Sequence, residues 1–101
     1  MFDPATYTDA FERHHGCTES EWLGQLPGAA QPHAVQLGQA QARVLIDGGT
    51  LQIDWQVLPP RRIALIQLPQ MHVRYRFDGV SAEARQRFMK RFDLFMQKGG
   101  G

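Results

Sequence analysis

His72, Arg74 and Arg76 recur at every second position of a segment whose other members, Met71, Val73, Tyr75 and Phe77, are apolar or aromatic. In an extended chain, alternate side chains share one side. The three basic groups therefore form a ladder on a wet face, with the aromatics turned the other way. Arg61 and Arg62 stand a short distance upstream. Guanidinium groups in such a row suit phosphates and carboxylates, which they engage through charge-assisted, often paired N–H donors. Arg61, Arg62, His72, Arg74 and Arg76 are thus the candidate ligand-binding set. The competing reading is a solvated sheet face on which Asp54 and nearby glutamines pair with the arginines across strands.

A second cluster gathers soft ligands. His14, His15 and Cys17 lie within four residues of one another, and His33 follows. Together they would supply the nitrogen and sulfur donors zinc prefers, but the spacing is not that of the separated ligand pairs typical of zinc sites, so no metal is expected. On a helix the adjacent His14 and His15 diverge by about 100°, which would put His14 on the core side and leave His15 exposed at a helix end. Cys17 precedes a helix N-terminus and lies near two histidines, surroundings that lower a thiol pKa, yet nothing in sequence would orient a base beside it. No Ser-His-Asp order, glycine-rich phosphate loop or paired acidic motif occurs. An enzyme or metal site at His14, His15 and Cys17 ranks last among the readings, and no cofactor is expected. The terminal Gly99-Gly100-Gly101 is like the diglycine end of ubiquitin-like modifiers, but it follows an amphipathic helix rather than a strand and reads as a flexible tail over 98–101.

The charges are divided along the chain. Residues 61–101 carry nine Lys or Arg against three Asp or Glu, and residues 1–60 carry two against seven, so a near-neutral total conceals halves of +6 and −5. Such a division bears on partners rather than on fold. Either the basic half meets something anionic, or the halves complement each other within or between subunits. Nucleic-acid recognition by a sheet needs aromatics beside the arginines. Here Tyr75 and Phe77 point the opposite way, leaving only weak, non-specific phosphate binding.

These groups must be positioned by a small scaffold. At 101 residues the chain is expected to form a single α+β domain over 1–101. One cysteine excludes an internal disulfide, and no apolar run approaches the roughly 20 residues needed to span a bilayer. No secretion signal is visible. A cytoplasmic protein with no membrane partner is the expectation. Asp3-Pro4 followed by Tyr7, Ala10, Phe11 and His14 predicts a helix over about 4–15. Thr18-Glu19-Ser20-Glu21 is a capping box, predicting a second helix over about 19–26 that Pro27-Gly28 ends. Residues 29–41 read as a loop holding one short strand at most. Asp47-Gly48-Gly49 turns a hairpin between strands at 42–46 and 50–58. Pro59-Pro60 breaks it, a third strand covers 62–68, and a fourth contains the ladder. Ser81 caps a last helix whose apolar arc is Ala84, Phe88, Met89, Phe92, Phe95 and Met96. The sum is a four-stranded antiparallel meander with N-terminal helices and a C-terminal amphipathic helix packed on one face. Phe88, Phe92 and Phe95 would rest on Trp55 and Tyr75.

The stretches Phe11 to Cys17, Glu21-Trp22 with Leu26-Pro27-Gly28-Ala29, and Arg91 to Gly101 resemble small uncharacterised proteins of GC-rich proteobacteria. The resemblance implies a bacterial, cytoplasmic, stand-alone domain and transfers no site residue. The expected role is a non-enzymatic binding or interaction module, with a homodimer as one form of it. The alternative is anionic-ligand or non-specific nucleic-acid binding through the basic half.

Overall fold

The computed structural model describes residues 7–99, with side chains through Gln97. The expected Asp3-Pro4 helix start and the final two glycines lie outside the described residues. The elements are β1 (Ala10–His15), α1 (Glu19–Ala30), β2 (Val35–Gly38), β3 (Gln41–Ile46), β4 (Gly49–Ile63), β5 (Ile66–Asp78) and α2 (Ala82–Gly99). The strands form one antiparallel sheet in the order β1-β5-β4-β3-β2. β2 to β5 make a meander, and β1 returns to pair along the outer side of β5. The α+β class and the antiparallel sheet agree with expectation. The sheet has five strands, however: the segment expected to be the first helix is β1, the short strand allowed within 29–41 is β2, and the expected third strand is absorbed into β4 and β5.

The reason lies in what β1 presents to the helices. Phe11, Arg13 and His15 occupy its inner side and Ala10, Glu12 and His14 its outer side. Two of the three inward residues are polar, so no apolar alternation marks the strand. Tyr7, Ala10, Phe11 and His14 match a helical period by coincidence. The inward polar groups find partners far along the chain: Asp93 for Arg13 and Tyr75 for His15.

α1 begins as its sequence requires. The Thr18 hydroxyl accepts from the Glu21 amide and the Glu21 carboxylate accepts from the Thr18 amide. These hydrogen bonds hold the Glu21 carboxyl below the usual carboxylate range. The helix does not stop at Pro27 but runs to Ala30. A proline inside a helix removes one backbone bond. Here the last turn is retained because Ala29 and Ala30 are buried and Gly28 packs beneath Phe95, where a Cβ would come within 2.5 Å of the ring. Phe95 therefore sits on α1 rather than on the sheet and stays 39% exposed, which corrects its expected place in the core.

The rest of α2 is as its periodicity predicts, except that the helix runs through Gly99, so Lys98 and Gly99 belong to it rather than to the expected tail over 98–101. The Ser81 hydroxyl accepts from the Ala84 amide. Phe88, Met89 and Phe92 are buried in a single cluster with Trp22 and Leu26 of α1 and the inner residues of β3, β4 and β5. Phe92 meets Tyr75 edge-on at 6.1 Å and Trp22 at 6.3 Å, and Phe88 meets Phe77 at 6.3 Å. Such tilted arrangements favour aromatic pairs beyond the area they bury. Both helices thus cover one face of the sheet. At the far end of β4, Gly49 lies against the turn at Asp78-Gly79, where a Cβ would meet two carbonyl oxygens at 2.4 and 2.5 Å.

The second departure concerns β4 and β5. Pro59-Pro60 does not end β4, and the expected third strand is not separate. β4 continues to Ile63, turns at Ala64-Leu65, and returns as β5 from Ile66. The register passes from Leu58↔Gln70 to Arg61↔Leu68, so a bulge sets Pro59 and Pro60 against Pro69. All three residues lacking an N–H meet at the one place where the ladder is interrupted. Beyond this point neither β3 nor β1 follows, since their pairings end at Gln41↔Asp54 and His15↔Met71. The ribbon leaves the body as a two-stranded arm.

Candidate functional site

The five basic candidates are not brought together. His72, Arg74 and Arg76 lie on the outer side of β5, away from the helices, as their alternation required. β1 and β4 flank them, so Arg74 has Glu12 opposite on one side and Asp54 on the other. The His72 Nε2 is 2.6 Å from Glu12 Oε1, and the rings of His14 and His72 are 5.4 Å apart. The hollows on this side have volumes of only about 230 and 190 Å³. Ligand pockets usually enclose about 300–1,000 Å³. Glu12 and Asp54 of the N-terminal half thus share this face with the ladder, and Glu12 pairs with His72 there. Arg61 and Arg62 stand elsewhere, beyond the bulge on the arm. They occupy consecutive strand positions and so project to opposite sides.

The soft-ligand residues are likewise dispersed. His14 and His15 point to opposite faces of the sheet, and the expected orientation is reversed: His15 is the inward one. Among the described residues no three His, Cys, Asp or Glu side chains are placed to hold a metal ion. His33 sits 5.7 Å from the Phe88 ring. Cys17 is half-buried, and burial together with Glu21 pushes its thiol pKa up. That is the reverse of the activation its place before a helix suggested.

The charge division is resolved largely within the chain. Glu12 of β1 and Asp54 of β4 stand opposite Arg74 of β5. Arg87 and Asp47 approach to 4.0 Å, and the Arg13–Asp93 pair joins the first strand to the last helix. The two halves are interleaved rather than segregated at opposite ends of the domain.

Three features escaped the sequence reading. The first is the polar group between β1 and α2. Arg13 donates two hydrogen bonds to Asp93, at 2.7 and 3.0 Å, and the Tyr7 hydroxyl donates to the same carboxylate. The guanidinium also lies 5.1–5.6 Å from the ring centroids of Phe11, Tyr7 and Tyr75, within cation–π range. Burial works against its charge, but Asp93 more than offsets this, and the Arg13 pKa is raised. Burial lowers the His15 pKa, with Arg13 adding to the effect, and burial raises that of Tyr75. His15 Nε2 and the Tyr75 hydroxyl share a hydrogen bond across 2.8 Å. Tyr7, Arg13, His15 and Asp93 border a cleft of about 640 Å³, which Lys90 also lines. Arg13 and Asp93 are already paired there, so the group reads as a lock between sheet and helix.

The second is a cleft of about 510 Å³ between the end of α1 and the exposed side of α2. Ile46 and Phe88 contribute apolar surface, and Arg87, Lys90 and Arg91 line it beside His33 and Asp47.

The third is the arm. Ile63, Leu65, Ile66 and Leu68 are 48%, 101%, 60% and 42% exposed. These large aliphatic side chains are gathered at the end of a ribbon that contributes nothing there to the core. Apolar runs at 63–66 and at Leu68 are in the sequence, but they read as a buried strand until the topology shows that nothing covers them. No protein-family model matches the chain, and no curated protein is significantly similar to it.

Proposed function

We propose that this domain is a non-enzymatic interaction module that engages its partner through the β4–β5 arm. The observation that carries this reading is the clustering of four exposed aliphatic side chains at the arm's end. Clustered exposed apolar surface marks interaction sites more often than scattered residues do. An isolated two-stranded ribbon is at best marginally stable in water, so an occupant that covers it also orders it. Self-association is one form of this reading, with a second copy as the occupant. The test is a photoactivatable leucine analogue at position 65, with one at the exposed Gln36 position as control, cross-linked in the intact cell. The reading expects adducts, protein or lipid, at position 65 well above the control. Equal and low labelling at both positions would refute it.

A second reading follows from the cleft beside α2. Three cations over an apolar floor suit a small anion, which moves the anionic-ligand alternative from the sheet face to Arg87, Lys90 and Arg91. Titration with inorganic phosphate at low ionic strength, followed by amide NMR shifts, tests it. Shifts should centre on His33 and residues 87–91 and disappear in Arg87→Glu. Shifts centred on Arg74 and Arg76 would return the site to the sheet.

A further inference from the structure

Resting on the reading of the arm as the contact element, we infer that its occupant is an anionic lipid surface. The tip residues enter the boundary between headgroups and acyl chains, and Arg61 and Arg62 lie at headgroup level. The pattern of side chains around the ribbon separates this from docking on a protein. A ribbon that lies on another protein needs one apolar side and keeps the other wet. Here the register pairs Ile63 with Ile66, and Ala64 and Leu65 form the turn, so the last four residues are all apolar and surround the tip. The next pairs back, Arg62↔Gln67 and Arg61↔Leu68, place one arginine on each side. An apolar point behind a cationic collar suits a medium that is apolar at depth and anionic at its surface.

Charge supports the same occupant. From residue 55 to residue 77 there is no Asp or Glu, so the ribbon carries no carboxylate that anionic headgroups would repel. Arginine meets phosphate through paired donors. The dimension also fits. From the arginine collar to Leu65 is about three residues, or about 10 Å at about 3.3 Å per residue, close to the roughly 5–10 Å to which interfacial segments sink. The backbone sets that limit. Both outer edges of the arm present N–H and C=O groups without strand neighbours, and these cannot enter the hydrocarbon unpaired. Contact of this kind needs no spanning segment, and among the described residues no helix is long and apolar enough to cross a membrane.

The experiment is flotation of the full chain with phosphatidylcholine vesicles and with vesicles enriched in phosphatidylglycerol. It is repeated for Leu65→Glu/Ile66→Glu and for Arg61→Gln/Arg62→Gln, with melting curves to show that each variant is folded. The wild-type protein should float with the anionic vesicles and not with the neutral ones. The glutamate pair should abolish flotation. The glutamine pair should weaken it about thirtyfold, from the attraction of two basic residues to an anionic leaflet. Leu65→Trp gives an independent readout: its emission should shift to the blue with anionic vesicles and be quenched by shallow rather than deep lipid-borne quenchers. Anionic flotation that survives the tip substitutions overturns the inference. Absence of flotation with protein adducts at position 65 overturns it while leaving the interaction reading intact. Absence of both flotation and adducts removes both.

Discussion

Asp93 is the residue through which α2 holds the edge strand, and its removal makes a quantitative demand. The Arg13 and Asp93 side chains are 29% and 28% exposed, joined by two hydrogen bonds, with the Tyr7 hydroxyl donating a third. Unit charges about 4 Å apart near a protein surface attract by about 4 kcal/mol. Lost hydration and the ordering of a long side chain take back part of this. A charge-assisted hydrogen bond contributes about 1.5–3 kcal/mol net, so a coupling energy of about 2 kcal/mol is expected for the pair. Exposed surface pairs give about 0–1 kcal/mol, and the difference is large enough to measure. Asp93→Ala alone should cost about 3 kcal/mol, because it also leaves the guanidinium covered on most sides without its anion. Arg13→Ala should cost less, since the remaining carboxylate keeps the Tyr7 hydroxyl and reaches water. The assay is urea unfolding of the wild type, both single variants and the double variant, with coupling taken from the cycle. Repeating it at high salt should leave most of the coupling, since partly buried pairs are weakly screened. A coupling below about 0.5 kcal/mol, or one that salt abolishes, would show that the lock is an ordinary surface contact.

The remaining predictions concern the core, the glycines and pH. Phe92→Ala empties a fully buried aromatic site and should cost about 3–5 kcal/mol; at about 4–8 °C per kcal/mol the melting point should fall by at least about 12 °C, and a fall under about 5 °C would contradict the packing. Gly49→Ala drives a Cβ into two backbone carbonyls and should cost about 1–3 kcal/mol, as overpacking does. Gly24→Ala, exposed in α1 with nothing within 4 Å of the new methyl, should instead add about 0.5–1 kcal/mol; equal effects of the two substitutions in chemical denaturation would refute the geometry. Burial lowers the His15 pKa from its ordinary value, so the unfolded chain takes up a proton there before the folded one does. Stability should therefore be unaffected by this residue above about pH 6.5, decline as pH falls from there to the lowered folded value, and level off below it. His15→Gln should flatten that part of the stability–pH curve, and an unchanged curve would count against the buried neutral imidazole.

Much of the scaffold is written locally. The capping box at Thr18 and Glu21, the Asp47-Gly48-Gly49 turn, the alternation from Met71 to Phe77 and the apolar arc of α2 each depend on neighbours within a few residues. Each appears in the structure where the sequence places it. The outward direction of His72, Arg74 and Arg76 follows from the same alternation. What they face does not, because Glu12 and Asp54 reach them only through strand pairing. β1 was illegible because its inward Arg13 and His15 are explained only by residues 80 and 60 positions away. The arm was illegible for a different reason. Pro59, Pro60 and Pro69 argue against a strand wherever a neighbour needs their N–H. They are admitted here because β3 and β1 have already ended and the three meet at one bulge. Local propensities act over a turn of helix or a few strand positions, so the sequence by itself determined which segments are helical, extended or turned wherever those propensities agree. Which side chains are covered and which charges are paired depends on contacts between distant segments, so only the tertiary structure decided that Asp93 secures Arg13 and that Leu65 and Ile66 stand uncovered.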